Sequence, residues 1–408
     1  MKLHWIQDQT GKATLQELQL DIVGFLAILG EGSVLANAQV STLSKWIFLP
    51  RLLPAPQALM RPTRPTILEP FAGRVTGVYS GNDRDSINHI GNIICDANSL
   101  PEFSVRVVSI KRTSANRLKS KTVAPLTLVL FIGFFLSALL LGLSIGKKDG
   151  MSILATVLLS LLSTLIGWGN KWTLKLPDRK VKKGKVPKGD VVIRYPKGCF
   201  LVVRCEEDVA RELYFAPEAI KYLLEHGPAY RILSLVGTMM LMGGVICLAN
   251  AQIELQIAWA GSYMLLGAAY WIVAALPAKL HWDYSSYNVE NECFSDSDMS
   301  SKGYPSANKT FTQALWKAIV VAKKTDWVLR SNAAPDTRAW REWLREAREA
   351  ASSVKPATEQ AKGGIPTWEI PDWDPQAHLV ALLNEQAKED EKKEEAEVEE
   401  DMTPLATK

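Results

Sequence analysis

Cysteine and histidine are both scarce in this chain of 408 residues, with five of each. Cys95, Cys199, Cys205, Cys247 and Cys293 are odd in number and widely scattered. That excludes a disulfide framework, and no CxxC pair gives metal-ligand spacing. Cys199 and Cys205 fall in one predicted hairpin, and reduced structural thiols are the expectation for all five. His4, His89, His226, His281 and His378 stand apart from one another. None lies in an HxxxH, HxE or GxSxG context, so zinc-hydrolase and nucleophile-elbow chemistry find no support. Also missing are the clustered histidines of membrane desaturases. A cleavable leader is not predicted: the first apolar run starts late, follows acidic residues and is broken by Glu31. No catalytic, cofactor-binding or metal-ligating set emerges, and no cofactor is expected.

Charge is missing in another, more informative way. The totals are nearly balanced, Lys plus Arg 47 against Asp plus Glu 43, for a net +4. Mean hydropathy is +0.01, the value of a soluble protein. That average conceals four long apolar stretches within residues 126–276 that carry no charged side chain. They are centred on 125–145, 152–167, 232–251 and 257–276, and each can cross a hydrocarbon core of ~30 Å if about 20 residues are used. Short links at 146–150 and 252–256 pair them as two antiparallel hairpins. The second span is closed by Trp168 and Trp172. Gly133/Ser137, Ala138/Gly142 and Ser163/Gly167 have small-xxx-small spacing, which lets helices approach closely. Gly237 and Gly243-Gly244 read the same way, in preference to the broken helices of a transporter.

Basic residues orient the hairpins. Arg106, Lys111, Arg112, Arg117, Lys119 and Lys121 precede the first span. Ten more basic residues lie in 171–197, against Asp178 and Asp190 alone. The positive-inside rule then places the N-terminus, the central loop and the C-terminal tail in the cytosol, in the endoplasmic reticulum or the plasma membrane. Lys147 and Lys148 in an outer link are outvoted. Within the loop, Arg179, Lys180, Lys182, Lys183, Lys185 and Lys188 form a patch facing anionic lipid headgroups. Without interleaved aromatics it does not suit nucleic acid. Trp168, Trp172, His281 and Trp282 are expected as anchors at headgroup depth.

Outside the spans, residues 14–29 form a helix by periodicity. The stretch 33–53, with Trp46-Ile47-Phe48-Leu49 followed by Pro50, Pro54 and Pro56, reads either as an interfacial helix pair or as a buried soluble helix. Gly73 to Gly81 is a glycine-rich turn without the GK[ST] ending of a phosphate loop, and 80–92 an exposed loop. Val191 to Val203 alternates as two strands around Pro196-Lys197-Gly198, followed by short helices over 208–215 and 217–224. Thr310 and Gln313 form a capping box that opens a helix to about 329, and Asp336 caps another to about 352. The acidic end is expected without structure.

The segments Gly189-Asp190-Val191-Val192-Ile193-Arg194-Tyr195-Pro196 and Ala210-Arg211-Glu212-Leu213-Tyr214-Phe215 resemble a family of multipass integral membrane proteins from filamentous fungi. So do Ala274-Ala275-Leu276-Pro277 with His281-Trp282-Asp283, Ala314-Leu315-Trp316-Lys317-Ala318-Ile319, and Asp326-Trp327-Val328. The likeness spans roughly 120–350. It implies a source and a multipass topology, and assigns no site residues.

The expectation is therefore a mainly α, four-helix transmembrane protein of two hairpins, with a small α/β cytosolic loop unit and a helical cytosolic tail. Its divisions are a cytosolic or interfacial region (1–120), the first hairpin (121–172), the basic loop (173–230), the second hairpin (231–278), a tail with two amphipathic helices (279–355) and an acidic end (356–408). The functional expectation is a non-enzymatic membrane anchor or platform for a cytosolic protein partner. Alternatives are an oligomeric four-span transporter or channel subunit, and an accessory membrane protein of a fungal metabolic pathway.

Overall fold

A computed structural model describes residues 31–95, 100–113, 119–175, 186–295, 305–355 and 366–401. The predicted helix over 14–29 and basic residues Arg179, Lys180, Lys182, Lys183 and Lys185 lie outside the described residues. The chain divides into two compact units. One comprises the residues up to Ile67 together with Asn116–Lys175 and Ala219–Tyr284; the other comprises Leu68–Ala115, Leu176–Glu218 and the chain from Ser285 onward.

The first unit is built on four helices long and apolar enough to cross a membrane: α1 (Pro125–Gly146), α2 (Gly150–Asn170), α3 (Gly227–Ala249) and α4 (Ile253–Ala275). At 21 to 23 residues each they exceed the ~30 Å of a hydrocarbon core. Proline in the first turn of α1 and α3 starts those helices where a missing N–H costs nothing. Asp149 starts α2 by accepting from the backbone N–H groups of Met151 and Ser152. Its other carboxylate oxygen accepts from Gln252 N at 2.6 Å, which ties the two short links together. α2 packs mainly on α3, and α1 on α4 and α2. Leu159 fills the space over Gly244, and Ser137 and Ser160 hydrogen-bond across α1 and α2. Two short strand pairs complete the unit, Trp172–Lys175 with Ala219–Tyr222 and Lys119–Ser120 with Trp282–Asp283. Residues 219–222 are therefore extended, and the short helix expected over 217–224 does not form.

The second unit corrects the expectation of a small α/β loop unit. It contains a seven-stranded sheet of β1 (Phe71–Gly77), β2 (Asp83–Ile87), β3 (Val105–Arg112), β4 (Val191–Arg194), β5 (Phe200–Arg204), β6 (Tyr287–Phe294) and β7 (Thr367–Trp368). Their order is β7-β6-β3-β5-β4-β1-β2. The β4–β5 hairpin forms as expected, with Val192 opposite Val202. A lone hairpin is marginal in water, and this one is stabilised by a parallel partner, β3, on one side and an antiparallel one, β1, on the other. The region expected as an exposed loop over 80–92 supplies β2 and the start of a helix, His89–Cys95. Its Asn, Asp and Gly content resembles a loop because β2 is an edge strand with polar residues facing out.

One face of the sheet, with Val105, Val107, Val192, Phe200 and Val202, packs under α5 (Phe311–Ala322) in a single core with α6 (Arg338–Ser352) and residues of α7 (Pro375–Asp401). Thr310 caps α5 by accepting from Gln313 N at 3.2 Å. The helix stops at Ala322, earlier than its periodicity predicts, because Lys323 is left-handed (φ 55°). α6 is capped by Thr337, and Asp336 instead pairs with Arg341. The chain past 366, expected without structure, carries β7 and the 27 residues of α7. Trp343 Nε1 donates to the Pro375 carbonyl at 2.8 Å and Trp316 stacks near Trp373, so apolar anchors outweigh the acidic composition.

Candidate functional site

Residues 31–67 of the first unit decide its interior. Short helices Glu31–Ala36 and Ala38–Leu43 lead to single turns at Lys45–Phe48 and Pro56–Leu59. Between the turns the backbone is irregular, as Pro50, Pro54 and Pro56 dictate. Two of its backbone N–H groups are bonded to the helices around it. Leu52 N donates to the Gly133 carbonyl at 3.1 Å, and Arg51 N to Ser163 Oγ at 2.9 Å. Gly133 lies ~12 Å along α1 from Pro125, and Ser163 ~10 Å along α2 from Asn170. The chain enters beside Lys171, whose ammonium donates to the carbonyls of Leu43 and Ser44, and leaves beside Asn170, whose amide donates to the Leu59 carbonyl at 2.9 Å. It dips between the helices and returns at the same end. Neither the interfacial pair nor the soluble helix describes it. Irregular backbone at such depth is stable only when enclosed by protein.

At the bottom of this dip lies Arg51, only 1% exposed. Its Nη1 donates to the carbonyls of Ile47 (3.0 Å) and Leu49 (3.3 Å). Nε and Nη2 reach no hydrogen-bond partner among the described residues, and the Tyr270 hydroxyl of α4 lies alongside. The helices are free of charge in their interiors, as expected, yet the unit they form encloses a guanidinium. The signal in the sequence was a single arginine in an apolar, proline-flanked run.

A second feature lies where α2 ends and α3 begins. Arg64 is held between the rings of Tyr222 and Tyr230, 4.0 and 3.9 Å from their centroids. Its Nη1 donates to the Gly169 carbonyl (2.6 Å) and Nη2 to that of Leu224 (2.8 Å). Around it opens a groove of about 510 Å³, walled by Thr66, Lys221, Glu225, Gly227 and Arg231. Burial pushes the Tyr222 phenol up to about 12, so it stays neutral beside the guanidinium.

The second unit has a groove of about 510 Å³ beside the β1–β4 pair, lined by Arg74, Asp85, Arg194, Tyr195, Pro196 and Phe311. Arg74 pairs with Asp83 at 2.8 Å and with Asp85 at 3.5 Å. Arg194 donates to the Asn332 carbonyl. Burial, and then the like charge of Arg74, lowers the Arg194 pKa. Elsewhere in this unit, Glu218 accepts from His89 N (2.8 Å) and Ile90 N (2.9 Å), and burial raises it to about 7.

Of the expected anchors, Trp168 is 53% exposed at the end of α2, whereas Trp172, His281 and Trp282 are buried within the first unit. Trp172 donates to the Gln39 carbonyl and Thr42 Oγ1, and its ring meets Trp282 edge-on at 6.3 Å. Burial lowers the His281 pKa. Lys188 is exposed, and its backbone pairs with that of Glu206 in an isolated antiparallel β-bridge. The described cysteines are all free, and among the described residues no group of three or more His, Cys, Asp or Glu is placed to hold a metal ion. No family model, no curated protein and no solved structure compared with this chain matches it.

Proposed function

We infer that this chain is a polytopic integral membrane protein that holds a folded α/β domain at the cytosolic face of a membrane, where the domain recruits a protein partner. One observation carries the reading. The seven-stranded sheet takes strands from before α1, from between α2 and α3, and from after α4. A continuous sheet requires all three segments on one side, and two complete hairpins achieve that. The basic residues before α1 and in the loop select the cytosol as that side. The partner surface is the Arg74–Arg194 groove, where two guanidinium groups, one of them already paired with Asp83 and Asp85, suit an acidic side chain bound between them.

Tags at both termini, challenged with protease outside sealed microsomes, test the topology: both are expected to be cleaved, and protection of either one would overturn it. A photo-crosslinker at exposed Lys197 tests recruitment. It is expected to trap one recurrent protein from wild-type membranes and to lose it in the R74E/R194E variant. Equal trapping by that variant would rule out the groove.

Arg51 favours a second reading, transport by an oligomer, because an ionisable group at helix depth is what charge-free spans otherwise lack. Flux of ions or small solutes through reconstituted wild-type protein, absent with R51L, is its expected signature.

A further inference from the structure

We propose that the groove around Arg64 is a headgroup site for an anionic phospholipid, which binds through its phosphate. The inference rests on the helices crossing a membrane and goes beyond it, because it assigns particular residues to a ligand.

Four observations converge. The groove lies at the level of a bilayer surface: Arg64 is bonded to the Gly169 carbonyl one residue before α2 ends, and Gly227, Tyr230 and Arg231 belong to the first turns of α3. Exposed Trp168, also in the last turn of α2, marks the same level. Its lining carries Arg64, Lys221 and Arg231 against Glu225 alone, and Lys221 pairs with Glu225 at 3.2 Å, so two positive charges stay uncompensated by the lining. Its floor is rigid. Tyr222 donates to the Pro65 carbonyl (2.8 Å) and Tyr230 to that of Arg61 (3.0 Å), which fixes the rings that clamp Arg64. A volume of about 510 Å³ fits the terminal phosphate of a lipid headgroup.

The ligand approaches over Gly227, where a Cβ would meet nothing within 4 Å. No side chain caps the start of α3, so its positive end faces the same space. Arg231 and Lys221 are exposed and flank the opening, Arg64 forms its back wall, and Pro62 and Ile220 offer apolar contact for the glycerol carbons. The ligand is a lipid instead of soluble phosphate because the site sits at span-end level, where the acyl chains can follow the outer surface of α3. Exposed Ile232, Leu235, Val236 and Met239 line that surface.

The test uses the full-length protein in mild detergent and thermal unfolding as readout, since a ligand that binds only the folded state raises Tm. The probes are dioctanoyl phosphatidic acid, dioctanoyl phosphatidylcholine and inorganic phosphate. Phosphatidic acid is expected to raise Tm at concentrations where the other two do not. The K221A/R231A variant, whose unliganded Tm should match wild type, is expected to bind it about tenfold more weakly. Equal stabilisation by phosphatidylcholine, or an unchanged affinity in the variant, would overturn the site. Equal stabilisation by inorganic phosphate would overturn the lipid and assign a soluble phosphate. Dependence on detergent for solubility is read in the same preparation, so loss of lipid binding is distinguishable from failure of the membrane reading.

Discussion

Single residues carry the polar costs of this fold. Glu218 titrates at about 7 because burial outweighs two amide donors and Arg84. An unfolded glutamate titrates near ~4.3. The folded chain therefore holds the proton through the window between these values. The contribution of Glu218 to stability is present in full below the lower value and declines as pH rises towards 7, by an amount on the order of 4 kcal/mol at most. Unfolding followed from pH 5 to pH 8 is expected to show that decline, and Glu218→Gln to flatten it; an unchanged slope in the variant would assign the titration elsewhere. Arg51 is the other costly residue. Its Nη1 donates to the Ile47 and Leu49 carbonyls while the planar remainder of the guanidinium fills the space beside Tyr270, which a shorter-headed lysine would leave empty, so Arg51→Lys should lose ~1–3 kcal/mol. Arg51→Glu sets a carboxylate against those carbonyl oxygens and is expected to prevent recovery of folded protein. Detergent-stable Arg51→Glu with a native Tm would contradict the burial seen here.

Among the elements, the dipping segment over 45–60 is the one whose packing is most exacting. A Cβ on Gly133 would lie 2.7 Å from the Leu52 carbonyl oxygen, and one on Gly167 2.5 Å from that of Ile47. Backbone cannot yield as a flexible side chain does. Gly133→Ala and Gly167→Ala are each expected to cost ~1–3 kcal/mol, while Gly142→Ala, with nothing within 4 Å, should be neutral. Thermal unfolding of the three variants in one detergent checks the contrast. The small-residue spacing predicts close helix packing, whereas at Gly133 and Gly167 the backbone that approaches closely is the irregular segment. The short strand β7 is similarly decisive. Trp368 is 2% exposed and donates to Glu292, which also accepts from Arg204 at 2.7 Å. Trp368→Ala should destabilise the second unit by ~3–5 kcal/mol, measured by denaturant unfolding, whereas an unstructured end would tolerate it.

For the whole molecule, one prediction separates the two possible sides. Asn308-Lys309-Thr310 is a glycosylation sequon, and its residues are engaged: Asn308 donates to the Phe103 carbonyl at 2.7 Å and Thr310 caps α5. On the cytosolic side it stays unmodified. A glycosidase-sensitive mass shift, absent in Asn308→Gln, would invert the proposed orientation.

The sequence by itself determined the four apolar helices and the β4–β5 hairpin, because long charge-free runs and strict alternation are local properties with few alternative solutions, whereas the packing of α3 on α2 and of α4 on α1 was decided by the tertiary structure. It also placed the capping of α5 on Thr310. What only tertiary structure decided depends on partners distant in sequence. β2 and β7 are short and polar or isolated, and become strands by pairing with β1 and β6. α7 is acidic and forms on apolar anchors presented by α6. Arg51 lies in a stretch with no clear periodicity, and it becomes a buried charge only because α1, α2 and α4 close around it.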